Sequence, residues 1–170
     1  MKVVYKIVFL IFLLLIFYGC TPKVYTVGQW EIGKVINPQF VEKVIMVENY
    51  KFETYVRHPL GYVAPFNKVI VKGEISDCLI SELKGVLPGY AVVKDLKEIN
   101  PNAEIIRVKP VEVDFKGKHS QRGFIARIKV EIQNKDKVET ISAEGEGKGF
   151  TISLTQSCEN IASKMQKINN

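Results

Sequence analysis

The chain has 170 residues, 46% of them hydrophobic and 25% charged, with 24 Lys and Arg against 18 Asp and Glu. That length suits one domain of ordinary size, and the apolar content excludes a disordered chain. Three cysteines exclude a disulfide-framework mini-protein, and two histidines, at 58 and 119, leave little for a His-rich metal site.

Residues 1–19 open with Lys2 and Lys6, continue as an apolar run from Ile7 to Tyr18, and stop at Gly19 before Cys20. A basic start, a short apolar stretch and a small residue before a cut form the signal-peptide pattern. Crossing a bilayer as a helix takes about 20 apolar residues, so the run is short for a permanent anchor. An uncleaved N-terminal helix is the alternative. Gly19-Cys20 resembles the bacterial lipoprotein signal, whose cysteine is acylated and becomes the mature N-terminus. Phe17-Tyr18 departs from the aliphatic and small residues usual before that pair. The resemblance implies a lipid anchor at Cys20. Thr21, rather than the Asp that retains many such proteins at the inner membrane, implies an outer-membrane position facing the periplasm. Without Lys2 and Lys6 the mature chain carries 22 basic residues against 18 acidic ones, a mild excess that gives no argument for nucleic acid.

Residues 20–39 read as the lipidated cysteine and a tether, with one short strand near 24–27. A single domain over 40–170 follows. Apolar, β-branched 41–47 and alternating 51–56 predict two strands, and Pro59, Gly61 and Pro65 mark an irregular loop. Val71, Ile75, Cys78, Leu79, Leu83 and Val86 then recur at helical spacing, so a helix is expected from about Asn67 to Pro88-Gly89. Residues 90–93 form a short strand, and Asn100-Pro101-Asn102 a turn.

Phe124, Ala126, Ile128, Val130 and Ile132 alternate with polar residues and predict a strand buried on one face. Its partner holds Ile106 and Val108 in one frame, then Val111, Val113 and Phe115 in the other. The slip at Lys109-Pro110 predicts a β-bulge, which also accommodates the proline. In that register Glu112 is expected opposite Arg127, and Arg107 opposite Glu131. Asn134-Lys135-Asp136-Lys137 turns into a third strand, and Gly145-Glu146-Gly147-Lys148-Gly149 reads as a flexible strand end. A last helix is expected from about Ser153, with Ser153 and Gln156 as a capping box and Leu154, Cys158, Ile161, Ala162, Met165 and Ile168 as its apolar stripe. The expected order is two strands, helix, strand, three-stranded meander, helix. The expected fold class is α+β: an antiparallel sheet with a C-terminal three-stranded meander and two helices packed on one face.

Chemistry is sparse. The G-x-G-x-G spacing at 145–149 lacks the G-x-G-x-x-G of a dinucleotide loop, and Glu144 and Glu146 would repel phosphate. No nucleophile elbow and no metal-ligand spacing appears, so neither catalysis, a cofactor nor a metal is expected. Two interaction sites remain. Lys116, Lys118, His119 and Arg122 form a basic hairpin tip that could meet phosphate or an acidic partner, or be a solvated turn. Leu60, Tyr62, Val63 and Phe66 could contact a partner or lipid, or cover the sheet edge. Cys78 and Cys158 are either bonded across two neighbouring helices or two buried thiols.

Gly19-Cys20, the strand at 51–57, Tyr62 and Phe66 before a helix, and the hairpin of 103–115 with 124–132 together resemble the small outer-membrane lipoproteins that serve ABC-type and MCE-type lipid transporters. More distantly they resemble the lipoprotein of the lipopolysaccharide translocon. Pro110 and the basic tip depart from that pattern. The resemblance implies a non-enzymatic accessory or docking component of envelope lipid transport or assembly, partnered by the membrane and a larger envelope complex. A structural lipoprotein of a secretion, pilus or flagellar apparatus is one alternative. A periplasmic ligand-binding module is another.

Overall fold

The computed structural model describes residues 11, 22–28, 30, 41–57, 69–84, 87, 89–94, 100–118 and 123–169. In chain order these form β1 (Lys23–Val27), β2 (Lys43–Val47), β3 (Lys51–Arg57), β4 (Val69–Glu74), α1 (Ser76–Lys84), β5 (Ala91–Val93), β6 (Glu104–Gly117), β7 (Phe124–Asn134), β8 (Lys137–Gly147) and α2 (Phe150–Asn169).

The long strand β6 organises the sheet. One edge of it pairs with β7, which pairs in turn with β8, both antiparallel. The other edge is shared: β2 takes its first half in parallel, from Lys43 against Glu104 to Val47 against Val108. Near its end, Val56 and Arg57 of β3 lie parallel to Phe115 and Lys116. Beyond β2 lies β5, parallel; beyond β3 lies β4, antiparallel, and then β1, parallel to β4. The α+β class holds, but the sheet is mixed, with four parallel pairings and three antiparallel, rather than antiparallel throughout. Parallel neighbours need long crossovers, and α1 lies within the one from β2 to β5.

The bulge falls where the frame slips, between Pro110 and Glu112, leaving Val111 unpaired in the ladder. Both halves of β6 thereby keep their apolar side chains on the core face: Ile106 and Val108 before it, Val113 and Phe115 after it. The bulge sets a register different from the expected one. Asp114 stands opposite Arg127, Glu112 opposite Lys129, and Arg107 opposite Gln133. Two residues, Lys135 and Asp136, close the β7–β8 turn, with Lys135 at φ 52°.

Two helix boundaries differ from the sequence reading. Residues 69–74 are strand β4, not the start of a helix, and α1 covers only Ser76–Lys84. Val71 and Ile75 satisfy a four-residue spacing and a two-residue spacing alike, and both are fully buried. The start of α1 is fixed from a distance. Ser76, fully buried, accepts a hydrogen bond from the Tyr50 amide at 2.8 Å and lies 3.1 Å from the Glu48 carbonyl it can donate to. The other helix, α2, begins at Phe150, a turn earlier than expected. Ser153 sits inside it, its hydroxyl donating to the Phe150 carbonyl at 3.0 Å rather than capping the end.

The glycines before α2 do not form a flexible strand end. Gly145 and Gly147 belong to β8, where a Cβ on Gly145 would stand 2.3 Å from the Ser157 amide and 2.4 Å from the Ser153 carbonyl. A Cβ on Gly147 would meet the Ser153 amide at 2.7 Å. Together with Ala143 they form a row of small residues at two-residue spacing, which lets the helix backbone lie directly on the strand. Side chains of α2 also cover carbonyls of β8. Asn160 donates to Glu144 at 2.7 Å, and the Lys164 ammonium donates to Ser142. A four-residue helical step of about 6 Å nearly matches a two-residue strand step of about 6.6 Å, so the two donors and two carbonyls stay in phase.

The two helices share one core with the sheet. Cys78 of α1 and Cys158 of α2 are joined as a disulfide, their Cα atoms 6.2 Å apart. Within the stripe of α2, Leu154, Cys158, Ile161, Ala162 and Met165 are fully buried, whereas Ile168 is 43% exposed.

Candidate functional site: the basic end of the sheet

The register places one set of termini together. Lys23 of β1 pairs with Val69 of β4, whose start lies beside the end of β3. Arg57 of β3 lies beside Lys116 of β6; Gly117 pairs with Phe124 of β7, and Phe124 pairs with Gly147 of β8. The start of α2 follows three residues later. Among the described residues, one end of the sheet therefore carries Lys23, Arg57, Lys116, Lys118 and Lys148 together with the acids Asp114 and Glu146.

Those acids are engaged. Asp114 accepts from Arg57, and Glu146 from Lys118. In the same cross-strand row as Asp114, Glu144 accepts from Arg127, at 2.8 Å from Nε, which with the Glu144 charge holds the guanidinium pKa above its usual value, so this further pair adds no net charge. Lys23, Lys116 and Lys148 are exposed and have no carboxylate partner among the described residues. The opposite end mixes signs: among the described residues Lys43, Lys135 and Lys137 stand with Glu42, Glu104 and Asp136.

An aromatic floor lies beneath the basic end. Phe150, the first residue of α2, stacks at 4.1 Å on Phe124, meets Phe115 edge-on at 5.5 Å, and contacts Tyr25 of β1 at 5.3 Å. Phe52 extends the cluster to Phe115 at 6.2 Å. Trp30 adds a polar tie, its indole N–H donating to Thr155 of α2 at 3.1 Å. Residues 23–27, where a short strand was expected within the tether, form a strand that pairs with β4 and contacts α2.

Of the expected tip, Lys116 and Lys118 belong to this end, while His119 and Arg122 lie outside the described residues. So do Leu60, Tyr62, Val63 and Phe66, in the segment joining β3 to β4, and Cys20. The sequence reading missed Lys23, Arg57 and Lys148, because only the pairing of distant strands brings them beside the tip.

The remaining polar features are elsewhere. Burial lowers the Lys94 pKa, but hydrogen bonds to Asp77 (2.7 Å) and Glu74 outweigh it and hold the ammonium above its usual range. Burial, then the charge of Glu159 on α2, raises the carboxyl of Glu82 on α1. Among the described residues no group of three or more His, Cys, Asp or Glu could hold a metal, and no helix is long and apolar enough to cross a membrane. A pocket of about 140 Å³ opens at the far end between the β7–β8 turn and the last turn of α2, lined by Ile106, Ile132, Asn134, Lys137, Met165 and Ile168 among others. Asn134 Oδ1 is buried there without a protein partner. Small-molecule sites usually enclose about 300–1,000 Å³, so this pocket is undersized for a ligand-binding module.

No family model and no curated protein matches the chain. Among solved structures, it is similar to one titled "Crystal structure of uncharacterized protein", at 11% identity and a TM-score of 0.48, over 88% of this chain and 100% of that one.

Proposed function

We propose that this protein is a non-enzymatic lipoprotein, anchored through acylated Cys20 in the outer membrane and facing the periplasm. It serves there as an accessory or docking component of envelope lipid transport or assembly. The observation that carries the reading is the order Lys2, Lys6, apolar run, Gly19-Cys20 and then a polar start. Acyl chains on the cysteine supply the two or more hydrophobic signals that stable anchoring needs. The Cys78–Cys158 bond supports it, since such bonds persist in oxidising compartments and are rare in a reducing cytosol. The envelope role follows from the resemblance to transporter-associated lipoproteins, and gene neighbourhood tests that part. For the anchor, Cys20→Ser is expected to abolish globomycin-sensitive processing and release the protein from the membrane fraction. Unchanged fractionation with an intact N-terminus would remove the lipoprotein reading.

A further inference from the structure

We infer that the basic end of the sheet rests on anionic phospholipid headgroups, so that the domain is held against the bilayer in one orientation instead of swinging on a tether. The inference rests on acylation of Cys20. Only Thr21 and Pro22 separate that residue from β1, and β1 is fixed at Lys23 by its pairing with β4 and by the contact of Tyr25 with Phe150. Three Cα steps reach at most about 11 Å, so the first residue of the sheet stays about one Debye length from the acylated cysteine.

The chemistry of that end fits the surface it would face. Among the described residues its acids are neutralised, Asp114 by Arg57, Glu146 by Lys118 and Glu144 by Arg127, and exposed Lys23, Lys116 and Lys148 remain, drawn from β1, β6 and the β8–α2 link. Juxtamembrane lysines are attracted to anionic leaflets, and the attraction fades within a Debye length. The opposite end mixes both signs and offers no such field. The aromatic floor ties β1, β6, β7 and α2 into one body, so docking this end orients the whole sheet. The β7–β8 turn and the small pocket then point away from the membrane, toward a periplasmic partner.

The test uses the full chain, matured in cells, extracted in detergent and reconstituted into phosphatidylglycerol/phosphatidylethanolamine vesicles carrying a quencher on the headgroups of both leaflets. A fluorophore is attached at Lys116→Cys or, separately, at Asp136→Cys. Strong quenching at 116 and little at 136 is expected. That difference should disappear with Lys23→Glu/Lys148→Glu, in 1 M salt, or in pure phosphatidylcholine vesicles, while the protein still floats with the vesicles. Equal quenching at both positions in protein that floats with the vesicles would overturn the orientation and leave the anchor standing. A difference unchanged by charge reversal, salt and lipid would overturn the role of the headgroups. Protein that does not float with the vesicles would overturn the anchor and this inference together.

Discussion

The two ends of the sheet are built on different principles. At the basic end, aromatic rings from β1, β6, β7 and α2 meet, and glycines bring helix and strand backbones into contact. At the other end the packing opens: Met165 is buried, Ile168 is half exposed, and a small pocket holds an unpaired Asn134 oxygen. One end is filled and carries an excess of one charge; the other is loosely closed and nearly balanced. The difference separates an end whose packing is complete from an end whose packing leaves room.

The largest expected effect is at the bond between the two helices, which belongs to neither end alone. The disulfide spans 80 residues, for which chain entropy assigns about 4.5 kcal/mol of stabilisation. Reduction, or a Cys78→Ser/Cys158→Ser pair, should lower the urea midpoint accordingly, and a midpoint insensitive to reductant would count against the bridge. The contrast between ends is sharpened next by two truncations. Phe115→Ala, at a side chain 1% exposed, should cost about 4 kcal/mol, whereas Ile168→Ala, in the open last turn, should cost under about 1 kcal/mol. Similar losses at both sites would erase the distinction.

Gly145→Ala tests the direct contact of helix and strand. The added methyl meets main chain that cannot rotate away, and overpacking of this kind costs about 2 kcal/mol. A neutral outcome in denaturant titration would mean that α2 lifts easily from β8.

The smallest effect concerns pH. The Glu82 carboxyl has a folded pKa raised first by burial and then by Glu159, so the folded state binds the proton more tightly than the unfolded state. Stability should therefore fall as pH rises from the ordinary Glu range through the raised value. Glu82→Gln should flatten that segment of the pH–stability curve and gain about 0.3 kcal/mol at pH 7, most of the effect being screened by solvent. An unchanged curve would show that neither burial nor the Glu159 charge perturbs the Glu82 carboxyl.

Much of the C-terminal half was legible, because period-2 alternation writes the core face of a strand into the sequence. The frame slip at Lys109-Pro110 located the bulge to within a residue. The pairing of 69–74 was not legible: β-branched Val69, Ile70 and Val71 favour a strand and Gly73 disfavours a helix, but Val71, Ile75 and Leu79 also fit a helix. Parallel partners such as β2 and β6 are chosen by burial across long stretches of chain, which local pattern does not encode. The basic end escaped for the same reason. Its described cations are spread over 126 positions, from Lys23 to Lys148, and become neighbours only through the sheet.

The central claim is that Cys20 carries the lipid that places this domain at a membrane. Intact-mass measurement of the protein extracted from cell membranes tests it most directly. The account predicts a chain beginning at Cys20, heavier than the polypeptide by the mass of its acyl groups. A chain that still begins at Met1, with an unmodified cysteine, would contradict it.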